Sequence, residues 1–303
     1  MQDKIIKSAY ARCLQLAHDH YENFPTASRI VSKTHRDATA AIYSFARRAD
    51  DIADEGSKPD HQRIKELDEF SEMLAMIAAG LQPDDDTFIA LQDTISRYQL
   101  PLLPFEKLLT AFKMDVSKKR FANFDEILFY CEHSANPVGE LILRIHGYHN
   151  PVTAALSDKI CTALQLINFI QDIHDDMKIR DRIYIPVEEM EKFAITEEQI
   201  KSGENSENLR ELVNDQLLRA VSMLVSGAGL IDHLQGRLKW IIKVTIISAL
   251  LISEKLSRRD DVFSRPVLSR MDWLKIIRRS IYFRPDETHA KIVLNATHRT
   301  SIG

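Results

Sequence analysis

Glycine and proline are scarce in this chain, nine and ten among 303 residues. Both punctuate turns, so their scarcity argues against a turn-rich all-β fold and for long helices with short connections. Strand-type alternation is also absent. The three cysteines, Cys13, Cys131 and Cys161, are odd in number and lack metal-type spacing. That excludes a zinc-finger pattern and a disulfide framework, and fits the reduced thiols of a cytoplasmic protein. The longest apolar run, residues 244–253, is too short to span a bilayer, and MQDKIIKSAYARC at the start lacks the apolar run of a signal peptide. A formal net charge of −4 gives no reason to expect nucleic acid. No glycine-rich dinucleotide loop is present. The chain is therefore expected to be cytoplasmic, with contact at the inner-membrane surface the one peripheral association left open. Oligomeric state has no sequence signal.

What is present is an ordinary globular composition, 45% hydrophobic and 28% charged. Helical spacing predicts elements over 3–20, 35–55, 62–79, 88–98, 104–118, 125–147, 209–226, 231–256 and 273–283. The sixth is interrupted at 134–139 (SANPVG), where proline removes a backbone donor. Residues 258–272 read as a basic, proline-containing connection. The acidic run at 84–86 lies in turn composition and reads as a solvated loop. One all-α domain over 1–285 and a loosely ordered tail over 286–303 are expected.

The stretch 160–186, ICTALQLINFIQDIHDDMKIRDRIYIP, is apolar in its first half. Yet Gln165, Asn168, Asp172 and Asp176 recur at steps of three, four and four, within an arc of about 80° at 100° per residue. A helix apolar on nearly every other side belongs in an interior, so the stripe is expected to face a cavity. A counterpart exists in YSFARRADDIADE, residues 43–55: Tyr43, Arg47, Asp50 and Asp54 share about 60° of arc. One such motif alone is more often a solvated face or an ion-pair set, and Arg47 and Arg48 are near enough to pair. Two facing each other in apolar helices would repel unless cations intervened. Carboxylates with an amide oxygen suit magnesium rather than zinc. Magnesium bridges protein carboxylates to phosphates, and Arg47, Lys178, Arg180 and Arg182 add positive charge. Such a site would hold a diphosphate, with an apolar cavity for a hydrocarbon. His174, between acids, is a candidate base, although a surface role fits it better.

The two acidic segments resemble the aspartate-rich motifs of the squalene/phytoene synthase family. The resemblance extends over residues 21–283. YENFP with Ala27-Ser28, SANPVG at 134–139, and Arg265-Pro266 with Asp272-Trp273 are similar to its bacterial hydroxysqualene synthase branch. It implies an all-α isoprenoid-synthase bundle around a central apolar cavity. It implies magnesium and diphosphate bound by Asp50, Asp54, Asn168, Asp172 and Asp176, with Tyr43, Arg47 and Gln165 lining the site, and Arg182 and Tyr184 as further substrate-binding positions. The implied reaction is a carbon–oxygen lyase step, in which presqualene diphosphate and water give hydroxysqualene and diphosphate. The alternatives are a head-to-head prenyltransferase making presqualene diphosphate, squalene or phytoene, and a non-catalytic assembly protein of the same fold. The chain departs from the family pattern at Asp181, where members carry glycine, in a loop one residue longer.

Overall fold

A computed structural model describes residues 2–19 and 33–283. The YENFP segment and the tail from 284 lie outside the described residues. Fifteen helices follow one another in the described chain: α1 (Gln2–Asp19), α2 (Lys33–Asp54), α3 (Asp60–Ala78), α4 (Asp86–Tyr98), α5 (Leu103–Ser117), α6 (Phe124–Ser134), α7 (Asn136–Ile145), α8 (Pro151–Gln171), α9 (Ile173–Arg180), α10 (Val187–Lys192), α11 (Glu197–Ser202), α12 (Glu207–Gly227), α13 (Leu230–His233), α14 (Gly236–Ser257) and α15 (Arg270–Tyr282). Among the described residues the only β-type pairing is an isolated bridge, Arg120 to Ile183. The all-α expectation holds.

The helices group into two compact units. The first comprises residues 1–117 and 137–150. Its core is aromatic. Phe45 of α2 meets Phe88 and Phe105 edge-on at 5.9 and 5.4 Å, and Phe70 meets Phe88 at 5.0 Å. Ala38, Ala41, Ile42, Ala49 and Ala53 complete the buried side of α2. The residues 84–86 are not a plain solvated loop. Asp85 caps α4 through the backbone N–H groups of Thr87 and Phe88, and pairs with Arg48 at 2.6 Å. Burial works to raise the Asp85 pKa, but the Arg48 bonds outweigh it and hold the carboxyl below its ordinary value. Asp86 pairs with Arg12.

The second unit comprises residues 118–136 and 151–303. Its most extensive helix pair is α8 with α12. They approach so closely at Gly227 that a Cβ there would lie 2.8 Å from both Ile160 Cγ1 and the Leu156 carbonyl. The interruption at SANPVG splits the expected sixth helix into α6 and α7, and the chain passes from the second unit to the first at Asn136–Pro137. The Asn136 side chain accepts from the Thr162 hydroxyl at 3.0 Å.

Candidate diphosphate site

Helix α2 carries Tyr43, Arg47, Asp50 and Asp54 on the side away from Phe45, all half-buried. Asp50, Asp51 and Asp54 crowd its last turn, where no basic residue stands. The carbonyl end of a helix repels negative charge, by roughly 0.3–1 kcal/mol per group. Two arginines offset this. Arg47 contacts Asp51 at 2.6 Å and Glu55 at 2.7 Å, with Asp50 more distant at 3.5 Å. Arg63, buried on α3, donates to the carbonyls of Ile52 (3.0 Å), Ala53 (2.7 Å), Gly56 (2.7 Å) and Lys58 (3.0 Å). Its guanidinium thus caps the end of α2. Burial raises the pKa of the Tyr43 phenol, Arg47 opposing and the nearby acids reinforcing.

In the second unit the expected continuous helix breaks at Asp172. Its φ of −106° and ψ of 14° leave the helical region, and α9 restarts at Ile173. The helical register survives, because Asp172 N–H bonds the Asn168 carbonyl and Asp176 N–H the Asp172 carbonyl, both at 2.9 Å. The cause is a side chain entering the ladder: Arg259 Nη2 donates to the Ile170 carbonyl at 3.1 Å. Burial lowers the pKa of this guanidinium to about 10. Leu166, Ile167, Phe169, Ile170 and Ile173 are buried as expected. Gln165, Asp172 and Asp176 are half-buried, whereas Asn168 is exposed.

The segment between α14 and α15 lies along this joint. Gln171 donates to the Pro266 carbonyl at 2.6 Å. Arg265 engages both oxygens of Asp172 and approaches Asp175 to 3.9 Å. The hydrogen bond to Asp172 is the main reason its guanidinium holds its proton more tightly than usual. His174 is exposed and edge-on to Phe263.

Past α9 the chain turns at Asp181, whose φ of 51° is left-handed. Glycine is the usual occupant of that conformation, and Asp is among the few residues that tolerate it. Arg120 holds the Asp181 carboxylate at 3.0 Å and Glu197 at 2.9 Å, which lowers the pKa of both acids. The departure from glycine is thus built into the loop. Arg182 is buried, and its backbone N–H reaches the Asp176 carbonyl at 3.0 Å. Arg180 lies 3.4 Å from Asp176, whereas Lys178 turns away to the Lys201 carbonyl.

Asp176, Arg182 and Tyr184 line one cavity with Phe169, Ile173 and Gln216. An adjoining cavity shares Phe169, Tyr184 and Gln216 and adds Leu166 and Ile170. The Tyr184 ring stacks on Phe169 at 3.7 Å, 8° from parallel, with Phe121 and Tyr130 at 5.4 and 5.7 Å. One acid, a buried guanidinium and aromatic side chains therefore meet along one wall, charged at one end and apolar at the other. Three features escaped the sequence reading: Arg63 at the end of α2, the pairing of Arg265 with Asp172, and Tyr130 as a member of the aromatic group. Among the described residues no three His, Cys, Asp or Glu side chains close round a metal. The donors of the two motifs, carboxylates with one amide, are all oxygen, a set that fits magnesium.

The profile of the squalene/phytoene synthase family matches residues 17–272. The chain is 32% identical over 254 residues to the hydroxysqualene synthase of Sinorhizobium fredii, covering 84% of this chain and 85% of that one. It is 31% identical over 269 residues to the hydroxysqualene synthase of Rhodopseudomonas palustris, covering 86% and 90%. Among solved structures it is similar to squalene synthase HpnC from Alicyclobacillus acidocaldarius, with 32% identity, a TM-score of 0.78, and coverage of 84% and 94%. The fold is that of the isoprenoid synthases. The chain belongs to the squalene/phytoene synthase family, whose members act on isoprenoid diphosphates.

Proposed function

We propose that the chain converts presqualene diphosphate and water to hydroxysqualene and diphosphate. The observation that carries this reading is the similarity, along most of both chains, to relatives named hydroxysqualene synthase. The carbon–oxygen bond to diphosphate breaks, its electron pair leaving with the diphosphate. The cyclopropane opens, water forms the new carbon–oxygen bond, and its surplus proton passes to solvent. Asp50, Asp54, Asn168, Asp172 and Asp176 would hold magnesium. When bound, the ion neutralises charge developing on the leaving diphosphate. Arg47, Gln165, Arg182 and Tyr184 would bind and orient the substrate, and Tyr43 is a further residue assigned to the site. Phe169 and Tyr184, stacked on each other beside Leu166 and Ile170, would give the hydrocarbon an apolar wall and exclude water from it until capture.

The test is purified protein given presqualene diphosphate or farnesyl diphosphate, with and without magnesium. Hydroxysqualene from the first substrate only, and only with magnesium, is the expected result. A second reading, head-to-head condensation of prenyl diphosphates, is favoured by the similarity to the solved squalene synthase HpnC. Consumption of farnesyl diphosphate would establish that reading instead.

A further inference from the structure

Half of the exposed large hydrophobic side chains among the described residues fall between Val267 and Tyr282. They are Val267 and, on α15, Met271, Trp273, Leu274, Ile277, Ile281 and Tyr282. Leu274 is 62% exposed and Tyr282 83%. The helix is not loose. Asp272, Ile276 and Ser280, four residues apart, form its buried stripe. Trp240 Nε1 donates to the Ser280 hydroxyl at 3.1 Å, and Lys255 pairs with Asp272 at 2.6 Å. An ordinary amphipathic helix would turn its apolar residues inward and its charges out. Here the outward arc is itself apolar.

The charge on that arc has one sign. Arg270, Lys275, Arg278 and Arg279 are all exposed, and the only acid of α15 is the buried, paired Asp272. A second copy docking on the same face about a two-fold axis would set these four cations against four more. A bilayer carrying anionic lipid offers the complement of both features, apolar acyl chains beneath negative headgroups. The thirteen residues of α15 make about 20 Å of helix, suited to lying in the headgroup plane. No helix among the described residues is long and apolar enough to cross a membrane.

We propose that the outward face of α15 is a docking surface for an anionic lipid bilayer, with Leu274, Ile277 and Ile281 inserted, Trp273 and Tyr282 at the interface, and the four basic residues on the headgroups. The surface stands independently of the reaction proposed above.

The test is co-sedimentation of the full chain with vesicles of phosphatidylcholine alone or mixed with phosphatidylglycerol. The chain should partition onto the mixed vesicles and not onto the neutral ones, and should be released by salt. The doubly substituted Leu274→Glu/Ile277→Glu chain should lose at least about tenfold in partition. Arg278→Glu/Arg279→Glu should lose about as much. Both alter exposed positions, and unchanged far-UV circular dichroism verifies their fold. If either folds poorly, the salt and lipid dependence of the unsubstituted chain still decides. The proposal is overturned by no partition, by equal partition onto neutral vesicles, or by substituted chains that bind as before. Vesicle-free self-association abolished by Leu274→Glu/Ile277→Glu would also overturn it, the occupant then being a second copy.

Discussion

In the first unit, Asp50, Asp51 and Asp54 stand in the last turn of α2, at the end of a helix that disfavours negative charge. In the second, Asp175 and Asp176 stand in the first turn of α9, at the end that favours it. The supports differ accordingly. The α2 acids are balanced from nearby in sequence, by Arg47 on the same helix and Arg63 on the next. Asp172 is balanced by Arg265, 93 residues onward. Acids gathered at an unfavourable helix end need cations from outside the helix dipole, whereas acids at a favourable end are partly stabilised by it.

The largest effect should come from removing the acids themselves. Asp172→Ala should lower turnover by at least about 10²-fold, with helical circular dichroism intact, and Asp50→Ala should lose a similar amount if the two motifs serve one leaving group. Loss of fold in either would make that motif structural. The next largest separates the two supports. Arg63→Ala strips four carbonyls of their donor and should cost about 3 kcal/mol in chemical denaturation. Arg63→Lys should recover little, since one ammonium does not span them. Arg265→Ala, at a half-exposed pair, should stay within about 1 kcal/mol of the parent stability.

A smaller effect concerns the metal. Without Arg265, Asp172 is released, and magnesium should bind the substrate-free protein about two- to fivefold more tightly by calorimetry. Unchanged affinity would mean the pair does not compete with the ion. The smallest is a difference in acid response. Burial lowers the pKa of His35 and His146, whose rings meet at 4.2 Å in the first unit. Their contribution is therefore present above their ordinary value of 6.5 and lost as pH falls below it. The Lys255 bond holds Asp272 far below the ordinary carboxylate value of 3.8, so its contribution persists to much lower pH. Trp240 and Trp273, the two tryptophans, both lie in the second unit. Their fluorescence should hold steady between pH 6.5 and 5 while far-UV circular dichroism at fixed denaturant reports loss of helix. Parallel loss of both signals would contradict the assignment.

The helical order and both acid stripes were legible because period and composition are local. The break at Asp172 was not, since it has neither proline nor glycine and is made by Arg259 from far along the chain. The apolar character of 160–173 marked its buried face correctly, but it did not reveal that Asn168 would stand exposed. Asp181 was visible as a departure from the family pattern. Its meaning, a left-handed turn held by Arg120, needed the backbone angle. Residues 258–269 are the connection that the sequence predicts, but the pairing of Arg265 with Asp172 was not legible, because a partner 93 positions away leaves no periodic trace.

Gly227 gives the second acid motif a mechanical sensitivity. It sets the separation of α12 from α8 near Leu156 and Ile160, and one of its contacts is a backbone carbonyl that cannot swing aside. From Ile160 to Asp172 is about 18 Å of helix. The helix acts over that length as a lever with its fulcrum at the glycine. A methyl group inserted there would tilt it, and a few degrees of tilt amount to about 1 Å at the carboxylate, a displacement that can cost about 10²-fold in rate. A position that touches no substrate therefore fixes the aim of those that would.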